Sequence, residues 1–378
     1  MGMDISVIIP TYHRPEKIAR CLELLTHQTH PAESFEVLIG IDNGLNEPDQ
    51  TTLLTRALRK IWPDAHQDRL TILPCNKIGL GAVRNELLPH AQGQIMLSLN
   101  DDVLPEPALL SEHVRAHAHA SKAGKTVVVS GSSPWVLHHP DRAFDLLVRE
   151  SSMVFFEPQM NAALASGDAT PDHDWGFRHA CGLNFSVPMH CVHEVGGFSV
   201  YPITYGYEDT EYAYRITTRF NSPVLYRPNA LAPHDHRMDP ADYLNREYTL
   251  GTAAWGFAMH SPDCAGATFG RDITTPEELL YSREFVAREK SAAEKIRETF
   301  LGLAEVPREA LPADGHPALE MILRSLYEHH LLLKRWQWRR GLLDGAQQGQ
   351  GQAHAHAEPL SQPNTHAEDR VRAQTQPR

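Results

Sequence analysis

The stretch Ile5-Ser6-Val7-Ile8-Ile9 is short, β-branched and stops at Pro10. A run with so little polar alternation predicts a strand buried on both faces, as in a parallel sheet. Pro15 then opens a stretch in which Ile18, Leu22 and Leu25 share one helical face. The same exchange of periodicities continues. Strands are expected over 35–41, 70–73, 95–99 and 126–129, and helices over 51–61, 81–90 and 109–120. Strand and helix in turn predict an α/β fold, an open and mostly parallel sheet with crossover helices on its faces. Residues 131–180 are rich in His, Pro, Trp and Phe and predict long loops and short helices. Segments 183–187 and 224–226 are candidates to rejoin the sheet. From Pro276 to about Leu343 the pattern is helical. From about Gly345 the chain is Gln, His, Pro and Ala with almost no large apolar side chain, a composition that cannot bury surface and predicts disorder.

Composition narrows the class. With 378 residues, of which 42% are hydrophobic, the chain can build a substantial core. Its 47 acidic against 35 basic residues leave a formal charge of −12, which argues against a general nucleic-acid binder. Five cysteines without a CxxC pair argue against a zinc ribbon and a disulfide scaffold, and favour a reducing, cytoplasmic setting. No basic leader and no membrane-length apolar run is present, so a soluble or at most peripheral protein is expected.

In open α/β sheets ligands sit beyond the carboxyl ends of the strands. Three strand ends here carry suggestive chemistry: Pro10-Thr11-Tyr12-His13-Arg14, Asp42-Asn43-Gly44 and Asn100-Asp101-Asp102. Singly, each has an ordinary explanation, since Asp-Asn-Gly is a common turn and an acidic pair a common helix cap. Together they fall on one edge of one expected sheet. Lys77, Gly79 and Arg84 follow the strand at 70–73. They read either as an ordinary helix start or as an anion-facing loop whose arginine orients a neighbouring carboxylate.

These segments in this order, with Asn76…Gly79…Ala82-Val83-Arg84-Asn85, resemble the family 2 glycosyltransferases. So do Gly196-Gly197-Phe198 and the later Tyr205-Gly206-Tyr207-Glu208-Asp209-Thr210-Glu211. The resemblance covers about residues 3–260. It implies a GT-A fold and an enzyme that moves a sugar from a nucleotide-sugar, with inversion, to a saccharide or lipid-linked acceptor. Such enzymes build cell-envelope polysaccharides, glycolipids and glycoproteins. The implied division is a catalytic domain over 1–260, with a nucleotide half (1–130) and an acceptor half (131–260). A helical extension (261–344) and a tail (345–378) follow.

The resemblance also implies site residues. Asp42, with Asn43, would meet the nucleobase beside Pro10, Thr11, Tyr12 and Arg14; UDP is the first expectation, then dTDP or GDP. Lys77 would approach base or phosphate, and Arg84 would hold the acidic loop. A divalent cation, Mn²⁺ or Mg²⁺, would bind at Asp102, with His234 or His236 as a further ligand. Asn100 stands where the family's first acidic residue is expected; beside Asp101 it keeps hydrogen-bonding capacity and loses charge. Asp209 would be the base that deprotonates the acceptor, with Glu208 beside it as partner or acceptor-binding group. The ordinary reading of Glu208, Asp209 and Glu211 is a helix first turn, and both readings can hold together.

Two alternatives stay in view. A sugar nucleotidyltransferase would place a glycine-rich basic loop after the first strand, where Pro10-Thr11-Tyr12-His13 stands. A non-catalytic nucleotide-sugar binder would have no use for Glu208-Asp209. Finally, tryptophan and basic residues interleave in Lys334-Arg335-Trp336-Gln337-Trp338-Arg339-Arg340. Within 319–343 this suggests either a packed helix or peripheral membrane contact.

Overall fold

The computed structural model of the chain describes residues 2–201 and 206–357. Strands and helices alternate as β1 (Ile5–Thr11), α1 (Pro15–Leu25), β2 (Phe35–Ile41), α2 (Pro48–Ile61), β3 (Leu70–Pro74), α3 (Leu80–Leu87), β4 (Ile95–Leu99), α4 (Leu109–Lys122) and β5 (Val128–Ser132). Then come α5 (Ala143–Glu150), α6 (Glu157–Ser166), β6 (Asn184–Pro188), α7 (Met189–Val195), α8 (Glu208–Phe220) and β7 (Val224–Leu231). A helical layer follows: α9 (Pro240–His260), α10 (Pro262–Phe269), α11 (Pro276–Ala304) and α12 (Pro317–Ala357).

The strands pair in the order β3-β2-β1-β4-β6-β5-β7. Strand β6 runs antiparallel to both neighbours and every other pair is parallel, so the sheet is mixed and mostly parallel, as the GT-A expectation requires. Its two faces explain the lack of alternation in β1. Ile5, Val7 and Ile9 pack under Ile18, Leu22 and Leu25 of α1, while Ile8 faces Met96, Phe185 and Tyr212 on the other side. The register pairs Thr11 with Ile41 and Ile41 with Pro74. The chain therefore leaves β1, β2 and β3 along one edge.

The expected boundary at 260 falls at the end of α9, and α9 packs with the helices that follow it. Tyr243 and Leu244 share a buried cluster with Phe300, Leu326 and Leu333, and Ala254 and Phe257 share another with Leu342 and Ala346. The expected start of disorder at 345 is also displaced. Helix α12 continues through Gly345 to Ala357, and residues 358–378 of the expected tail lie outside the described residues. Glycine is a contact surface here, not a break. A Cβ on Gly341 would lie 2.0 Å from the Tyr248 carbonyl oxygen, and one on Gly345 2.4 Å from that of Thr252. From the α9 side, a Cβ on Gly251 would lie 2.0 Å from the Trp338 oxygen. The two helices meet backbone to backbone.

This seam turns the tryptophans of α12 inward. Trp336 Nε1 donates to the Val286 carbonyl (3.1 Å) and Trp338 Nε1 to the Tyr207 hydroxyl (3.1 Å). An interfacial helix keeps its aromatic anchors outward; these are spent on internal packing, which removes the basis of the membrane reading. Among the described residues no helix is long and apolar enough to cross a membrane.

Candidate active site

A cleft of about 1200 Å³ opens over the carboxyl edge of the sheet, floored by the strand ends and roofed by α9 to α12. Pro10, Thr11, Tyr12, Arg14, Asp42, Lys77, Gly79, Arg84, Asn100, Asp101, Asp102, Glu208, Asp209, His234 and His236 all line it. Asn43 does not. It has a left-handed φ of +67°, and its side chain bonds Glu47 (2.5 Å) and Asn46 (2.9 Å), so at this position the turn explanation wins.

At the β2 end, the Asp42 carboxylate accepts the backbone N–H of Ile78 (2.8 Å) and of Gly79 (3.1 Å). That holds the loop before α3 and sets Lys77 over the Tyr12 ring, 5.1 Å from its centre. At the β4 end, Asp101 accepts from the Thr11 hydroxyl (2.7 Å) and Asp102 from Arg14 (2.7 Å). Burial and the neighbouring Asp102 charge push Asp101 up to about 6. Burial pushes Asp102 up as well, but hydrogen bonding to His234 and the charges of His234, Arg14 and His236 outweigh it and hold it down at about 2.

The histidine loop is pinned to this carboxylate. His234 Nε2 lies 3.4 Å and His236 Nδ1 3.8 Å from Asp102 Oδ2. Asp235 N–H donates to the Asp102 carbonyl (2.7 Å), and Lys17 Nζ binds the Asp235 carboxylate (2.6 Å). The Trp135 ring packs 4.6 Å from the His234 ring, centre to centre. Among the described residues no three His, Cys, Asp or Glu side chains already meet as a metal cluster. Asp102 Oδ1 and His234 Nδ1 are, however, buried without a hydrogen-bond partner.

Arg84 ties the floor together. It is 1% exposed and donates to Asn100 Oδ1 (2.9 Å) and the Gly182 carbonyl (3.3 Å), with Glu208 Oε1 3.7 Å away. The amide at position 100 is thus a neutral acceptor for a buried guanidinium. Glu208 and Asp209 form the first turn of α8, entered through Gly206 (φ +92°) and Tyr207 (φ +69°). Asp209 accepts the N–H of Gly182 (2.8 Å) and of Thr210 (2.7 Å). Burial, reinforced by Asp209 and opposed by Arg84, pushes Glu208 up to about 7. Tyr212 and Ile216, farther along α8, are fully buried packing residues.

Sequence reasoning missed Gly182, which serves both Arg84 and Asp209, because a backbone donor and acceptor leave no trace in residue type. It missed Lys17, hidden in an amphipathic helix. It did not point to Leu331, Lys334, Arg335 and Trp338 of α12, which line the cleft together with Trp135, Phe155 and Arg178 from the loop-rich stretch 131–180.

Residues 6–180, which hold β1 to β5, match the model described as Glycosyl transferase family 2. Among curated relatives, glycosyltransferase AglE of Haloferax volcanii is 30% identical over 110 residues, 29% of this chain and 34% of that protein. Validoxylamine A glucosyltransferase of Streptomyces hygroscopicus subsp. jinggangensis is 28% identical over 233 residues, 56% of this chain and 51% of that protein. The chain thus spans about half or less of the length of these relatives. Among solved structures, the mannosyltransferase PcManGT from Pyrobaculum calidifontis, in complex with GDP-Man and Mn²⁺, aligns with a TM-score of 0.47 at 18% identity, covering 95% of this chain and 82% of that one. S. aureus TarS 1–349 in complex with UDP-GlcNAc aligns with a TM-score of 0.46 at 15% identity, covering 92% of each.

Proposed function

We propose that the chain is an inverting glycosyltransferase that moves a sugar from a nucleoside diphosphate donor to a hydroxyl of a saccharide or lipid-linked acceptor. The observation that carries this reading is the meeting of two pairs of carboxyl side chains in one cleft: Asp101 and Asp102 at the β4 end, and Glu208 and Asp209 at the start of α8. A donor fits between the β1 and β2 ends, its base against Tyr12 and Asp42 and its diphosphate toward Asp102, Arg14 and Lys77. Asp42 Oδ1 accepts from both Asn43 and Ile78, whereas Oδ2, which accepts from Gly79, retains a second lone pair for a base N–H.

Asp102 with His234 or His236 suits a hard divalent cation. A buried carboxylate oxygen lacks a partner, and substrate phosphates commonly complete such coordination. Mn²⁺ or Mg²⁺ bound there would neutralise charge on the departing diphosphate. For the protein's own groups, Asp209 takes the acceptor's proton as the acceptor oxygen bonds to the anomeric carbon. The bond from that carbon to the diphosphate breaks, and the nucleoside diphosphate leaves with its electron pair. The backbone N–H groups of Gly182 and Thr210 keep the Asp209 carboxylate in place. Glu208, partly protonated near neutrality, faces the acceptor hydroxyls.

The test is thermal stabilisation by UDP, dTDP, GDP and CDP, with and without Mn²⁺, beside Asp102→Ala. A nucleotide at 100 times its dissociation constant stabilises by about 2.7 kcal/mol. Manganese-dependent stabilisation by one nucleotide, lost in the variant, is expected. No response from any nucleotide in a folded chain would sink the reading.

A further inference from the structure

At the far end of the cleft the charge balance reverses. The whole chain carries −12, yet Arg178, Arg246, Lys334 and Arg335 line this end with Glu247 as the nearby acid. Glu247 is 1% exposed; it bonds Arg246 at 2.9 Å and lies 3.9 Å from Lys334 Nζ. Among the described residues the Lys334 ammonium also makes a long contact, 3.4 Å to the Met153 carbonyl. Burial pulls Lys334 below the ordinary lysine range; the Glu247 charge opposes this, while Arg246 and Arg178 add to it. Glu247 thus lies between Arg246 and Lys334, while Arg246 and Arg178 both repel the Lys334 ammonium, an arrangement that a bound anion would relieve.

The cluster is also aimed. Leu331, Lys334, Arg335 and Trp338 follow the i, i+3, i+4, i+7 spacing of one helical face, and that face lines the cleft. Trp338, one turn beyond Lys334, bonds Tyr207, the residue that precedes Glu208 and Asp209. Arg246 lines the same cleft as the proposed base Asp209 and as Gly182, whose N–H Asp209 accepts.

Resting on the glycosyl-transfer reading, we propose that the acceptor carries an anionic group, a phosphate or a carboxylate, held by Arg178, Arg246 and Lys334. Arginine forks and a lysine point charge are the donors such oxyanions select.

The experiment titrates the full chain, followed by NMR, with methyl glucoside, methyl glucoside 6-phosphate and methyl glucuronide. The wild type is compared with Lys334→Gln and Arg178→Gln, with UDP and GDP binding measured in parallel. At least one anionic glycoside is expected to bind about tenfold tighter than the neutral one, and each substitution to remove most of that preference, as losing a charge-assisted bond predicts. Which anion wins separates phosphate from carboxylate. Nucleotide binding should be unchanged in both variants. Equal binding of all three glycosides, no binding of either anion at millimolar concentration, or a preference that survives both substitutions overturns the proposal. So does loss of nucleotide binding in the variants, which would assign the cations to the donor. Failure of nucleotide binding in the wild-type chain overturns the glycosyl-transfer reading and leaves the anion site to be judged on the glycosides.

Discussion

Glu208 and Asp209 are neighbours in the chain but stand in different surroundings. Asp209 is held by two backbone donors, whereas Glu208 is pushed up to about 7 by burial and by Asp209, against the pull of Arg84. As pH rises through 7, Glu208 loses its proton, and the added negative charge stabilises the positive charge that develops at the anomeric carbon in the transition state. The transfer rate should therefore rise through that range. Glu208→Gln, neutral at every pH, should lack this inflection; an unchanged pH–rate profile would refute the assignment. Asp209→Asn should cut transfer by about 10² to 10⁴ while nucleotide binding persists, the usual contribution of a general base. Arg84→Ala removes a buried cation and leaves Glu208 and Asn100 without it. Urea unfolding should report a loss of about 3 to 5 kcal/mol. The strand-end residues stood out in the sequence because several acidic and amide groups fall on one edge of one sheet, although each alone has an ordinary structural use. Asn43 misled because the same residue type also makes turns. Gly182 was invisible because its contribution is main-chain.

Helices and strands were legible wherever burial was one- or two-sided and regular. Strand β5 begins two residues later than expected and runs to Ser132, because polar Ser130 and Ser132 are buried in it, with Ser132 bonded to Glu157. Helix α9 went unread because its buried residues mix Gly251, Thr252, Ala253, Ala254 and Ala258 with Tyr243, Leu244, Trp255 and Phe257 and form no single stripe of large apolar side chains. The glycine seam allows a matched test. Ala for Gly inside a helix ordinarily gains up to about 1 kcal/mol. Gly302 of α11, with open space around a built Cβ, should show that gain, while Gly345→Ala should destabilise by about 1 to 3 kcal/mol through overpacking. Equal shifts in melting temperature would refute the seam. A second element-level device lies between α4 and β6, where His113 and His117 both bond the Ser186 hydroxyl. Burial depresses them to about 4 and 3. Above pH 6.5 both are neutral in folded and unfolded chains alike. Below it, the unfolded chain binds protons that the folded one refuses, so stability should fall from pH 6.5 toward 4. Urea midpoints across that range should fall less steeply for His117→Gln.

At the scale of the molecule, one cleft is shared by two layers of different origin in the sequence pattern. The sheet supplies the strand-end carboxylates, and α9 to α12 supply the opposite wall. A chain ending at 316 would lose Leu326, Leu333 and Leu342 from two buried clusters, each leucine contributing about 1.5 to 3 kcal/mol of burial. It should aggregate, or unfold without a cooperative transition in calorimetry; a normal melt would show that the sheet stands alone. The family resemblance reached to about residue 260, and the wall that α12 builds beyond it carries no motif because its residues are chosen by packing. That wall has a fixed phase. The face of α12 that meets α9 through Gly341 and Gly345 and the face that presents Lys334 and Trp338 to the cleft belong to one continuous helix. A single inserted residue between Trp338 and Gly341 would turn one face against the other by about 100°. Substitutions can retune this wall of the cleft one side chain at a time, whereas a change in the length of this helix would misdirect the wall and unseat the seam in the same step.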